Sequence, residues 1–281
     1  MTMKVAAVQV SPKFADVPAN VLRVRELLDS LASQRVEFVV FPEAMLTGYC
    51  FDSKDEALAV ALHRESDEIR SLAKACDEGG ICAVVGFAER EGDALFNTAA
   101  VFVPKGQTQF YRKTHLPYLG MDRFAEVGDA LDVFEIPGAR IGILICFDVR
   151  IPEAARTLAL KGADILCVPT NWPEQAILTS NCVCPARANE NQTFVIAADR
   201  VGEENGVRFL GYSKIIAPGG AVIATADHQD EEILVAEIDV SLARVKDTVI
   251  RAGEYELPLF SGRRPELYAP LLDSSGLGTP K

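Results

Sequence analysis

The chain has 281 residues, 49% hydrophobic and 24% charged, with 20 Gly and 15 Pro, enough for one large core and far from a collagen-like or low-complexity composition. A formal charge of −12 argues against nucleic acid, whose phosphates need a basic face, and against an anionic membrane surface. No run approaches the roughly 18 apolar residues that cross a bilayer, and the odd count of 7 cysteines points to free thiols in a reducing compartment, with the cytoplasm as the expected location.

Along the chain, Lys4–Val10 reads as a strand, its apolar run stopping too early for a signal peptide. Val17–Gln34 carries Val21, Val24, Leu27, Leu28 and Leu31 at helical spacing. Glu37–Phe41 is a strand ended by Pro42, and Ser66–Glu78 a helix stopped by Gly79-Gly80. Ile81–Phe87, Leu95–Val103 and Gln109–Arg112 follow as strands, the last entered through the turn Pro104-Lys105-Gly106. Ala139–Cys146 is a strand, Pro152–Lys161 a helix closed by Gly162, Asp164–Val168 a strand and Ala176–Asn191 a helix. Strands over Thr193–Ala198, Leu210–Ala217, Ala221–Thr225 and Ile233–Ile238 complete the alternation. Such interleaving belongs to layered α/β folds with helices outside the sheets. Residues 1–257 read as one domain, and residues 258–281, with Pro258, Pro265, Pro270 and Pro280, as an extended arm.

Three places could carry chemistry. The apolar run Ile141–Ile145 leads into Cys146, a few residues before a helix that begins at Pro152. A side chain there sits at the carboxyl edge of a sheet, where α/β folds bind ligands and turn amides can hold an oxyanion. Val39-Val40-Phe41-Pro42 puts Glu43 at another strand end, where a carboxylate could take a thiol proton. Lys113 lies just beyond a third strand, and a fixed ammonium would stabilise a tetrahedral oxyanion. Taken singly, each has a commoner fate: a buried structural thiol, a solvated loop glutamate and a surface lysine.

Together the segments are more specific. Phe41-Pro42-Glu43, Arg112-Lys113-Thr114-His115-Leu116-Pro117 and Cys146-Phe147-Asp148-Val149-Arg150-Ile151-Pro152-Glu153 resemble, in that order, the motifs of the nitrilase (carbon–nitrogen hydrolase) superfamily. Asp16 through Asn20, Leu46-Thr47-Gly48-Tyr49, Asn171-Trp172-Pro173, Arg187-Ala188-Asn189-Glu190-Asn191 and Pro218-Gly219-Gly220 extend the resemblance over residues 4–240. The resemblance implies a four-layer αββα sandwich, paired into an αββααββα homodimer. It implies Glu43 as base, Lys113 as oxyanion stabiliser and Cys146 as nucleophile. Many members carry a second active-site glutamate after the lysine motif; here Asp122, one methylene shorter, is the nearest carboxylate, and Glu126 is the fallback.

The Phe147 amide is expected to help hold the oxyanion, with Asn171 beside the substrate and Trp172, the only tryptophan, either walling the pocket or filling the core. His115 is more often structural in this family, and Arg150, Glu153, Arg187 and Glu190 read as structural ion pairs. No metal or organic cofactor is expected, since Cys182 and Cys184 lack a zinc-site spacing. Members that hydrolyse nitriles often have Cys-Trp-Glu at the nucleophile. Cys146-Phe147-Asp148 instead favours a small linear amide, hydrolysed to ammonia and an acid through a thioester. An N-carbamoyl amidohydrolase acting on a ureido substrate and a nitrilase are the alternatives; outside enzymes, the alternative is a catalytically silent interaction scaffold.

Overall fold

Strand β1 (Thr2–Gln9) shows the alternation on which the architecture rests. Val5 and Ala7 face one apolar cluster, while Ala6 and Val8 face another, because successive strand side chains point to opposite faces. Both faces are buried, so the strand reads as a continuous apolar run. The computed structural model describes residues 2–273, and the chain forms two compact units, 1–244 and 245–281.

The first unit is built on two six-stranded sheets. One contains β1, β2 (Phe38–Val40), β3 (Cys82–Glu91), β4 (Ala94–Phe102), β5 (Gln109–Arg112) and, next to β1, β14 (Glu232–Asp239). The other contains β6 (Val133–Ile136), β7 (Ala139–Ile143), β8 (Ile165–Thr170), β9 (Phe194–Asp199), β12 (Lys214–Ile216) and β13 (Val222–Thr225). A small hairpin, β10 (Glu203–Glu204) with β11 (Val207–Arg208), lies between β9 and β12 in sequence. At the centre of each sheet three strands run parallel, β1-β2-β3 and β7-β8-β9.

Helices α1 (Val17–Ser33) and α3 (Asp67–Gly79) cover the outer face of the first sheet, where Val24, Leu28, Leu31 and Leu72 meet Ala6, Val39 and Val85. The inner faces pack Val5, Val40 and Val84 into the same cluster as Ile143, Leu166 and Ile196. Helices α4 (Pro152–Leu160) and α5 (Cys184–Asn191) add Ala155, Leu158 and Ala188 to that cluster. This is the expected αββα sandwich. Each fully buried Val or Leu contributes about 1.5–3 kcal/mol of transfer free energy.

Some boundaries differ from those read from sequence, each for a local reason. The strand expected to run to Cys146 ends at Ile143, and Cys146 opens a 3-10 turn, Cys146–Arg150, with φ 49°. The helix expected over Ala176–Asn191 becomes a 3-10 turn, a π turn over Thr179–Val183, and then α5. Pro185 has no N–H to bond back one α-helical turn, and Cys184 N–H reaches Thr179 O instead. The strand expected over Leu210–Ala217 shrinks to β12, since Gly211 (φ 70°) and Tyr212 (φ 59°) are left-handed and break the extended chain. Helix α2 (Lys54–Val60) and strand β6 were not anticipated.

The second unit carries a hairpin, β15 (Thr248–Arg251) with β16 (Tyr255–Leu257), and two 3-10 turns, Pro265–Leu267 and Ala269–Leu272. Residues 274–281 of the expected arm lie outside the described residues.

Candidate active site

Glu43 follows the carboxyl end of parallel strand β2, held there by Phe41 N–H on Val84 O at 2.9 Å. Its turn needs Ala44 at φ 49° and a glycine beneath it. A Cβ on Gly86 of β3 would lie 2.5 Å from Ala44 N and 2.7 Å from Pro42 O, closer than backbone atoms permit. Lys113 follows β5, its N–H donating to Asn97 O at 2.8 Å. Cys146 follows parallel strand β7, and left-handed φ is uncommon for a residue bearing a side chain. Such outliers gather at functional sites, where the surrounding fold enforces them.

Glu43 and Lys113 are completely buried, and Cys146 is 5% exposed. Lys113 Nζ donates to Glu43 Oε1 at 2.8 Å and to Asp122 Oδ2 at 2.6 Å. Of the two candidate carboxylates Asp122 is the one that meets Lys113, while Glu126 is exposed. Gly120 at φ 49° opens the 3-10 turn Gly120–Arg123 that carries Asp122 inward. Two groups not singled out as functional from the sequence complete the cage. Tyr49 OH donates to Asp122 Oδ2 at 2.7 Å, and Asn97 Nδ2 donates to Glu43 Oε1 at 2.7 Å and Asp122 Oδ1 at 2.8 Å.

Burial pushes the Glu43 carboxyl above the usual carboxylate range, against the pull of Lys113. Burial alone would lower Lys113, but the charges of Asp122 and Glu43 outweigh it and hold the ammonium well above its ordinary value. Burial and the Glu43 charge push the Cys146 thiol well up, while Lys113, the Thr170 hydroxyl and the Asn171 backbone amide pull the other way. These influences favour the neutral form of the thiol and the charged form of the lysine.

Asp148, two residues past the cysteine, ties that turn to the lysine loop. Its fully buried carboxylate accepts from Ile145 N–H (3.0 Å), Tyr111 OH (2.8 Å) and His115 N–H (2.9 Å), and pairs with His115 Nδ1 at 2.8 Å. His115 is thus engaged with Asp148 as a structural partner. Arg187 donates to Val149 O at 2.8 Å and Arg150 O at 3.1 Å and pairs with Glu190 at 2.9 Å, steadying the same turn. Arg150 and Glu153 are exposed and form no ion pair among the described residues, which corrects that half of the expectation: their side chains are solvated.

Asn171 and Trp172 are buried at the end of β8, Trp172 N–H donating to Asp199 Oδ1 at 2.9 Å. The Asn171 side chain, Trp172 Nε1 and Asp199 Oδ2 have no hydrogen-bond partner among the described residues. Phe147 is half-buried and follows Cys146 directly. Among the described residues no cluster of His, Cys, Asp and Glu could hold a metal ion, and no helix is long and apolar enough to cross a membrane.

The carbon–nitrogen hydrolase family model matches residues 4–247. The chain belongs to that family. Among its relatives, a nitrilase of Pyrococcus abyssi is 38% identical over 268 residues, covering 95% of this chain and 99% of the relative. An (R)-stereoselective amidase of a Pseudomonas species is 31% identical, covering 85% of each chain. A solved branch 10 member of the nitrilase superfamily from Saccharomyces cerevisiae superposes with a TM-score of 0.78 at 26% identity, covering 86% of this chain and 92% of that one. This hydrolase therefore acts on carbon–nitrogen bonds other than peptide bonds.

Proposed function

We propose that this hydrolase cleaves small linear amides, releasing ammonia and a carboxylic acid through a thioester on Cys146. The observation that carries the reading is the buried ammonium of Lys113 between Glu43 and Asp122, 2.8 and 2.6 Å away, beside a cysteine in left-handed conformation. Two of the three ammonium hydrogens are engaged by carboxylates, which leaves one for a developing oxyanion.

In the first half-reaction Glu43 takes the thiol proton as sulfur bonds to the carbonyl carbon. The oxygen becomes an oxyanion held by Lys113 and the Phe147 amide. When the C–N bond breaks, Glu43 returns that proton to the nitrogen, which leaves as ammonia. Glu43 then takes a proton from water attacking the thioester, and Cys146 recovers its proton as the acid departs. Asp122 keeps Lys113 charged throughout, and Asn171 and Trp172 contact the rest of the substrate.

The Pyrococcus abyssi relative favours a second reading, in which nitriles are substrates. Ammonia release from aliphatic amides, ureido acids and nitriles, measured for wild type and Cys146→Ala, decides between them. Release from amides alone supports the reading. Carbon dioxide released together with ammonia from ureido acids, or turnover of nitriles alone, overturns it in favour of the corresponding alternative.

A further inference from the structure

The two oxygens of Glu43 are not equivalent. Oε1 accepts from Lys113 Nζ at 2.8 Å and Asn97 Nδ2 at 2.7 Å, whereas Oε2 is buried with no hydrogen-bond partner among the described residues. The second hydrogen of the Asn97 amide goes to Asp122 Oδ1 at 2.8 Å, and the Asn97 backbone carbonyl accepts Lys113 N–H at 2.8 Å. One residue of β4 therefore touches Glu43, Asp122 and the lysine backbone together. Charge dictates the orientation of its amide: turned over, Asn97 Oδ1 would face two carboxylates. Asn97 is 1% exposed and sits opposite Ala88 of β3, on a strand bonded on both sides by β3 and β5, so it has no room to swing away.

We propose, resting on the amide-hydrolysis reading above, that Asn97 is a positioning residue for the proton transfers: by holding Glu43 Oε1 and Asp122 Oδ1 it leaves Glu43 Oε2 as the oxygen that exchanges protons. The proton that leaves sulfur as the S–C bond forms is carried on Oε2 and passes to nitrogen as the C–N bond breaks. Both lone pairs of Oε1 are taken, so it cannot accept a proton without giving up one of its two charge-assisted hydrogen bonds, each stronger than a neutral one. The charged and titratable groups around Glu43 are Lys113, Asp122, Tyr49, Cys50, Cys146 and Asp199. Of the groups that favour ionised Glu43, Asn97 is the uncharged one, so its removal weakens that preference without removing a charge.

The test is the pH profile of kcat and kcat/KM for Asn97→Ala beside wild type and Cys146→Ala, on an amide that wild type hydrolyses, with thermal melts as a folding control. In Asn97→Ala, kcat falls roughly 10- to 100-fold through misplacement of the base, KM changes little, and the acid limb moves to higher pH. An acid limb that coincides with wild type, at whatever rate, overturns the proposal, since a purely structural role would lower rate and melting temperature alone. If Asn97→Ala does not fold, Asn97→Ser, which retains one donor, is read the same way and shifts the limb by a smaller amount. Full activity of Cys146→Ala would instead sink the hydrolysis reading itself. An inactive Cys146→Ala with an unshifted Asn97 variant sinks only the assignment of Asn97.

Discussion

Glu43 is the residue on which the pH behaviour turns. Its carboxyl lies above the usual carboxylate range because it is buried, and it must be ionised to accept a proton. On the proposed mechanism, activity rises with pH through a limb set above the usual carboxylate range, and falls as Glu43 is protonated below it. Glu43→Gln keeps the size of the side chain but removes the base. Rate measurements across pH should show that limb gone and kcat lower by roughly 10²- to 10⁴-fold; an intact limb in the variant would remove Glu43 from the chemistry. Glu43, Lys113 and Cys146 were legible as candidates because each follows a short strand inside a recognisable motif. Asp122 was legible only as the nearer of two carboxylates, since a left-handed Gly120 decides which one turns inward. Asn97 carried one signal, an amide that with Thr98 interrupts the apolar run Ala94–Phe102. Tyr49 lay inside a matched segment, but nothing in that segment tells its partner, seventy-odd residues on, in Asp122.

At the scale of elements, the site is made by the strand ends crowding against one another, and at Gly86 the crowding falls on the turn that carries Glu43. Replacing it with alanine drives a Cβ into the Pro42–Ala44 backbone at 2.5–2.8 Å, and because the obstacle is backbone no side-chain rotation relieves it. The turn must shift, taking Glu43 with it. A displacement near 1 Å costs about 100-fold in rate, and overpacking costs about 1–3 kcal/mol in stability. Kinetics and thermal unfolding of Gly86→Ala should show both losses; wild-type kinetics would mean that the turn is not what places the base. Element boundaries were less legible than element types. Pro185 was visible within the expected helix, but the π turn it provokes depends on Thr179 O standing ready for Cys184 N–H. Helix α2 did announce itself, by Ser53 and Glu56 at capping-box spacing, with Glu56 N–H on Ser53 Oγ at 3.2 Å and Asp52 N–H on Glu56 Oε2 at 2.8 Å. Strand β6 is only four residues long and leaves little periodicity to read.

For the molecule as a whole, the sandwich follows from two sets of apolar strands buried on both faces, a pattern that the continuous runs Val5–Val8 and Ile165–Val168 display directly. The pairing of those strands into two separate sheets is long-range and came from family resemblance rather than from spacing. A chain of net charge −12 holds a single lysine at its chemical centre, which shows how little global charge says about a local field. On the proposed mechanism, this lysine and two carboxylates serve a covalent intermediate on Cys146. Intact-protein mass spectrometry of enzyme quenched with acid during turnover of an amide tests it most directly. Wild type should gain the mass of the acyl group, mapped to Cys146, and Cys146→Ala should gain nothing and hydrolyse nothing. Undiminished hydrolysis by Cys146→Ala, or rapid wild-type turnover with the acyl mass on another residue, would contradict it.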